Sequence, residues 1–171
     1  MVKKKRAQIW YFDLIMGLVV FSAFLIIFFK TDVNTSQEET RAMEDMITEA
    51  KIATSEILNS GVPKKWDITN VSKIGILDNN EINKTKLQYL SALNYNTTKS
   101  MMGLRSDYYF YFAKNGHKIK PLGFEGIGKP GINSTNIEQK EDPTRIIKLV
   151  RIVILNDNPA KMEFILWRQY D

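Results

Sequence analysis

The run IWYFDLIMGLVVFSAFLIIFF, residues 9–29, decides how the rest of the chain is read. Its 21 residues carry a single charge, Asp13. At 1.5 Å of rise per residue, a helix of that length reaches roughly 32 Å, enough to cross the hydrocarbon core of a bilayer. A secretory signal core is shorter, about 7 to 15 residues, and ends at a small-x-small cleavage site. This run ends Phe28-Phe29-Lys30-Thr31. The expected element is therefore a transmembrane helix over 8–30. Lys3, Lys4, Lys5 and Arg6 precede it, and only Lys30 stands close behind it. By the positive-inside rule the N-terminus stays in the cytoplasm and residues 31–171 lie outside the cell membrane. An acid at the bilayer centre costs about 2.5 to 3.5 kcal/mol, which makes Asp13 a candidate functional residue. It also stands four residues, about 6 Å, inside the apolar boundary, where it can reach water or Lys5 and Arg6.

Net charge is +5, but four of the 24 basic residues are Lys3 to Arg6, leaving 20 basic against 19 acidic side chains, a net of +1. The basicity thus serves orientation in the membrane, and no stretch interleaves cations with aromatics as a strand-binding groove does, so nucleic acid is not an expected partner. The chain has no cysteine, so an exported domain must draw its stability from its core. Glycosylation sequons occur at Asn34, Asn70, Asn83, Asn96 and Asn133. That is five among 13 asparagines, where 20 Ser and Thr in 171 positions place about one and a half by chance. All five follow the span, as an external domain requires. An Asn- and Thr-rich composition is the other source of such matches.

Residues 31–61 read as an amphipathic helical extension. Met43, Met46, Ile47, Ala50, Ala53, Ile57 and Leu58 recur at spacings of three and four, which predicts a helix over 36–59 with one apolar stripe docked on its own domain. Thr35 or Ser36 caps its start, with Glu38 and Glu39 in the first turn, and Asn59-Ser60-Gly61 followed by Pro63 stops it. No glycine or proline separates Gly17 from Gly61, so the two helices are expected as one rod with at most a bend near Asp32-Val33-Asn34.

Residues 62–171, about 110 in number, suffice for one modest core. A strand is expected over 72–77, a turn at Asp78-Asn79-Asn80, and short helices over 84–93 and 97–104. An aromatic strand over 107–112 leads through the hairpin signal Asn115-Gly116 into 118–122. The breakers and polar residues of 123–142 read as a long surface loop. Strands over 144–155 and 161–168 flank Asn156-Asp157-Asn158-Pro159 as a closing hairpin. The fold class is α+β, a long N-terminal helix with a head domain whose strands form one antiparallel sheet laid against the amphipathic helix.

No catalytic, cofactor-binding or metal site is legible. Gly126-Ile127-Gly128-Lys129-Pro130-Gly131 matches the dinucleotide pattern letter for letter, but that mechanism needs a strand before it and a helix after it, and Pro130 with Gly131-Ile132-Asn133 opens none. His117 is the only histidine and sits at a turn. Without cysteine there is no soft metal cluster, and no serine stands in a nucleophile elbow. An enzyme is not expected.

Lys-Lys-Lys-Arg-Ala-Gln-Ile-Trp-Tyr-Phe-Asp, residues 3–13, resembles the processing region of archaeal prepilins, the precursors of type IV pilus-like filaments. The resemblance covers about the first 30 residues and the layout of a long first helix with a β-rich head; 66–76 and 106–112 are similar in feel to head segments of archaeal pilin-like proteins. It implies a leader over 1–7, removed on the cytoplasmic side by a prepilin peptidase after Arg6-Ala7, with Gln8 as the mature N-terminus. It also implies self-association through the apolar helix into a surface filament. Asp13 then resembles in role a counter-charge for the free amine that cleavage creates on a neighbouring subunit, two costly charges becoming tolerable as a pair. Asp13 departs from the pattern in being the sixth residue from Gln8, and in being Asp where Glu is common. Trp10, Tyr11 and Phe12 would steady the unassembled subunit at the lipid interface. The competing expectation is an uncleaved single-pass membrane protein whose external domain binds a ligand or another protein; the two part over leader removal and polymer formation.

Overall fold

A computed structural model describes the backbone of residues 3–169 and the side chains of 10–30 and 40–169. The chain divides into two compact units, Met1–Met43 and Glu44–Asp171. Helix α1, Lys3–Ile57, is helical through 31–39, so no helix start is found at Thr35 or Ser36. The absence of glycine and proline from this stretch leaves nothing to interrupt the ladder of i to i−4 bonds.

In the second unit the elements are β1 (Leu77–Asp78), β2 (Glu81–Ile82), α2 (Lys84–Ala92), α3 (Tyr95–Met101), β3 (Asp107–Lys114), β4 (His117–Ile119), β5 (Ile127–Gly128), α4 (Ile137–Glu141), β6 (Arg145–Leu155) and β7 (Asn158–Arg168). The sheet order is β1-β2-β6-β7-β3-β4, with β5 laid beside β3. Every pairing is antiparallel except β2 with β6, which run parallel and meet only at Glu81 and Ile154. The sheet is therefore mixed, not wholly antiparallel. Its exception comes from a hairpin, β1–β2, docked end-on: Glu81 Oε1 accepts the Asp157 amide at 3.0 Å beside the β6–β7 tip.

Three hairpins share one turn chemistry. Asn79-Asn80, Asn115-Gly116 and Asn156-Asp157 all hold positive φ at both central positions, and the flanking pairs are Asp78 with Glu81, Lys114 with His117 and Leu155 with Asn158. Such two-residue turns match the right-handed twist of their strands, and asparagine tolerates the left-handed region better than other side chains.

The core lies between one sheet face and the last turns of α1. Met46, Ala50, Ala53 and Ile57 are buried against Tyr108, Phe110 and Phe112 of β3, Met162, Phe164 and Leu166 of β7, and Leu87 and Leu90 of α2. Small side chains at 50 and 53 let the helix approach the sheet, and Phe164 stacks on Tyr108 with ring centroids 5.8 Å apart. Ile47 and Leu58 are half-buried and Met43 is exposed, so the predicted stripe narrows to four residues with Thr54.

The strand expected over 72–77 shrinks to β1. Ahead of it Ser72 and Lys73 donate to the Val62 carbonyl, and two donors where β1 begins go to the end of α1, Ile76 N–H to the Ile57 carbonyl at 2.9 Å and Leu77 N–H to the Asn59 carbonyl at 2.8 Å. These satisfy carbonyls that a helix terminus leaves without partners. Gly75 is the point of contact: a Cβ there would lie 2.2 Å from both Asn59 Oδ1 and the Gly61 nitrogen.

The second sheet face is also apolar where β3 and β7 meet. Tyr109, Tyr111, Ile165 and Trp167 are covered by Ile132 and Ile137. The stretch 123–142 is accordingly not a plain surface loop; it carries β5 and α4, because the aromatic strand β3 is buried on both sides and needs a lid on each.

Candidate functional site

Within the first unit, one helix is long and apolar enough to cross a membrane, Trp10–Lys30. None of its apolar window is buried inside the chain. Trp10, Tyr11 and Phe12 are 73%, 60% and 64% exposed and stand together at one end, Tyr11 edge-to-face on Phe12 at 6.5 Å. Asp13 is exposed, and its carboxylate has no hydrogen-bond or ion-pair partner among the described residues. Arg6, Ala7 and Gln8 lie in helical backbone, with side chains outside the described residues, as is that of Asn34.

The four remaining sequons are scattered over the head and differ in access. Asn70 is exposed beside an exposed Ser72, its Oδ1 accepting the Asp67 amide at 2.8 Å. Asn83 caps α2, accepting the Lys86 amide at 3.1 Å, and is half-buried. Asn133 forms a side-chain turn in which its Oδ1 accepts both the amide and the hydroxyl of exposed Thr135, at 2.9 and 2.7 Å. Asn96 is exposed on α3, but the third residue of its sequon, Thr98, is buried and shares a 2.6 Å hydrogen bond with the Tyr108 hydroxyl.

Two charge clusters escaped the sequence reading. At the start of β3, Asp107 accepts from Tyr95 at 2.8 Å, Lys99 at 2.6 Å and Lys129 at 2.8 Å. Lys129 also pairs with Glu141, whose carboxylate takes the Trp167 indole N–H at 3.3 Å and a Gln169 amide at 3.3 Å. Burial alone would raise the Asp107 carboxyl, but the hydrogen bonds from Lys129, Lys99 and Tyr95 outweigh it and hold the group below the usual carboxylate range. Burial works against the charge on Lys129, and its bonds to Asp107 and Glu141 still raise it above an ordinary lysine. Both groups are therefore ionised and mutually satisfied, a clasp that ties 129–141 to the sheet. The second cluster joins helix to sheet: Glu49 accepts the Ser106 amide at 2.8 Å and Arg168 Nη2 at 2.9 Å. The partners lie 8 to 119 residues apart and on different elements, beyond the three- and four-residue spacings of a single helix face.

The Gly126-to-Gly131 motif has a packing explanation. A Cβ on Gly126 would meet the Tyr109 hydroxyl at 2.4 Å, and one on Gly128 the Tyr108 carbonyl at 2.3 Å, so both glycines let β5 lie flush on β3. The next helix, α4, opens only at Ile137. His117 is exposed at the start of β4. No group of three metal-ligating side chains is found among the described residues. Lys86, nearly fully buried, was not foreseen either; its ammonium donates to the Ser60 and Leu77 carbonyls at 2.8 and 3.1 Å and locks the end of α1 to β1. Comparison with protein-family models, with curated proteins and with solved structures finds no match to this chain.

Proposed function

We propose that this chain is a type IV pilin-like structural subunit, inserted in the cell membrane with its head outside and assembled into a surface filament through its N-terminal helix. The observation that carries the reading is the apolar segment Trp10–Lys30, none of which is buried within its own chain. Twenty-one such residues need lipid while the subunit is alone and the same helix of other copies once it polymerises. The basic leader ending Arg6-Ala7 supports removal of 1–7, and the new amine at Gln8 would then meet Asp13 of a neighbour inside the filament. The head supplies the outer surface, with its sequons as points of glycan attachment.

The test is the N-terminal sequence and intact mass of the protein made alongside its host's membrane peptidases, together with shearing of the cells. A chain starting at Gln8, recovered in sheared filaments, is the expected result. A chain that keeps Met1 to Ala7 and stays in the membrane fraction overturns the proposal in favour of an uncleaved anchor with an external binding domain.

A further inference from the structure

Strand β6 is paired along one side only. β7 accompanies it from Arg145 to Leu155, whereas on the other side β2 touches it at Ile154 alone. The open edge is therefore 145–153. In a two-residue hairpin the flanking residues, here Leu155 and Asn158, exchange both hydrogen bonds, and alternation along the ladder then turns the amides and carbonyls of Ile146, Lys148, Val150 and Ile152 to the open side. The side chains of these same residues stand on the face away from the α1 core. Ile146, Val150 and Ile152 are 41%, 45% and 81% exposed there. Unpaired backbone beside apolar side chains is a template for another strand, and edges normally guard against this with free charge. Of the three cations on this edge, the two in its middle are engaged elsewhere: Lys148 is ion-paired to Glu163 and reaches the Tyr111 hydroxyl at 3.3 Å, and Arg151 Nε donates to Thr54 Oγ1 at 3.3 Å, which leaves Arg145 at the end as the guard.

We propose that this edge is an interface with a second copy of the chain, the two β6 strands pairing antiparallel about Leu149. The strand's own pattern of apolar and basic residues fits a second copy in one register. With the centre at Leu149, Arg145 faces Val153 of the second copy, Ile146 faces Ile152, Ile147 faces Arg151 and Lys148 faces Val150. Every cation meets an apolar residue, and all nine open residues are used. Centring on Lys148 sets that lysine against itself, which is destabilising for residues directly opposed. Centring on Val150 sends Ile146 to Ile154, a position Glu81 already occupies. The pairing belongs to the head and holds whether or not the chain forms filaments.

The natural chain has no cysteine, so single cysteines report the register directly. The full chain carrying Leu149→Cys or Ile152→Cys is purified in detergent micelles and mildly oxidised. Directly opposed residues bring their Cβ atoms to about 4.5 to 5.5 Å, close to disulfide reach, so Leu149→Cys is expected to give a linked dimer. Two copies of residue 152 stand six residues apart along the paired strands, roughly 20 Å, and Ile152→Cys is expected to stay monomeric despite its far greater exposure. Adding Val150→Pro removes an edge-facing N–H at a position where an edge strand tolerates proline, and should abolish the Leu149→Cys dimer with the circular dichroism spectrum unchanged. Dimers from Ile152→Cys equal to or above those from Leu149→Cys signal random collision or another register and overturn the proposal. Monomers from both variants overturn it too, leaving the edge to some other protein or to solvent.

Discussion

The carboxylate of Asp107 illustrates how a single residue stores pH dependence. Three donors hold it ionised in the folded chain, so its folded pKa lies below the unfolded value of about 3.9. A group depressed in this way stabilises the fold fully above the unfolded pKa, and that contribution disappears as pH falls through the folded pKa. Glu163 behaves alike: burial pushes it up, but Lys148 and the Tyr111 hydroxyl bring it below the ordinary range. Thermal melts are thus expected to lose stability below about pH 4. Asp107→Asn should lower the melting temperature near pH 7 and flatten that acid limb, while Glu163 preserves part of it. An acid limb identical to that of the parent chain would show that the clasp plays no part. At the same scale, folding before modification hides Thr98, so mass spectrometry of native protein should find Asn96 the least occupied sequon in the head, below Asn70 and Asn133. High occupancy at Asn96 would mean that glycans are added before α3 docks.

At the scale of elements, α1 meets the sheet through Ala50 and Ala53, at 1% and 0% exposure. Ala53→Leu adds three carbons where none fit and is expected to cost about 1 to 3 kcal/mol; Phe164→Ala, which empties the stack on β7, should cost about 3 to 5 kcal/mol. Chemical denaturation of the two variants, read at the midpoint, separates overpacking from cavity formation. What could be foreseen at this scale followed turn chemistry and periodicity. Asn115-Gly116 and Asn156-Asp157 announced their hairpins, and the spacing of Met46, Ala50, Ala53 and Ile57 announced a docked helix face. What failed did so for identifiable reasons. Gly126 and Gly128 looked like loop punctuation because their task, admitting a second backbone against Tyr108 and Tyr109, is defined by residues 17 to 20 positions earlier. Ile74 and Ile76 looked like strand because apolar residues alternate there in the sequence, yet the Ile76 amide goes to the Ile57 carbonyl at the end of α1 and its carbonyl accepts from Asn83. The burial of Lys86 was not legible within its predicted helix, since nothing local says that two carbonyls wait for its ammonium.

At the scale of the whole molecule, the two units make different demands on their surroundings. The first presents an apolar segment with none of its window buried, so the chain should remain in membranes through an alkaline carbonate wash and leave only with detergent; release by carbonate would contradict a spanning helix. Asp13→Ala is expected to leave that insertion intact while preventing filaments, and filaments from the variant would remove the proposed charge pair from the assembly mechanism. The second unit has a timetable built into its topology. β7 lies between β3 and β6 but is made after both. In a head threaded outward behind its anchor, Tyr108, Phe110 and Phe112 would reach the far side some fifty residues ahead of the strand that seals them. The sheet would close only when that last strand has passed through, so export of this head, as distinct from its folding in a tube, would call for something to hold β3 apart from its neighbours in the interval.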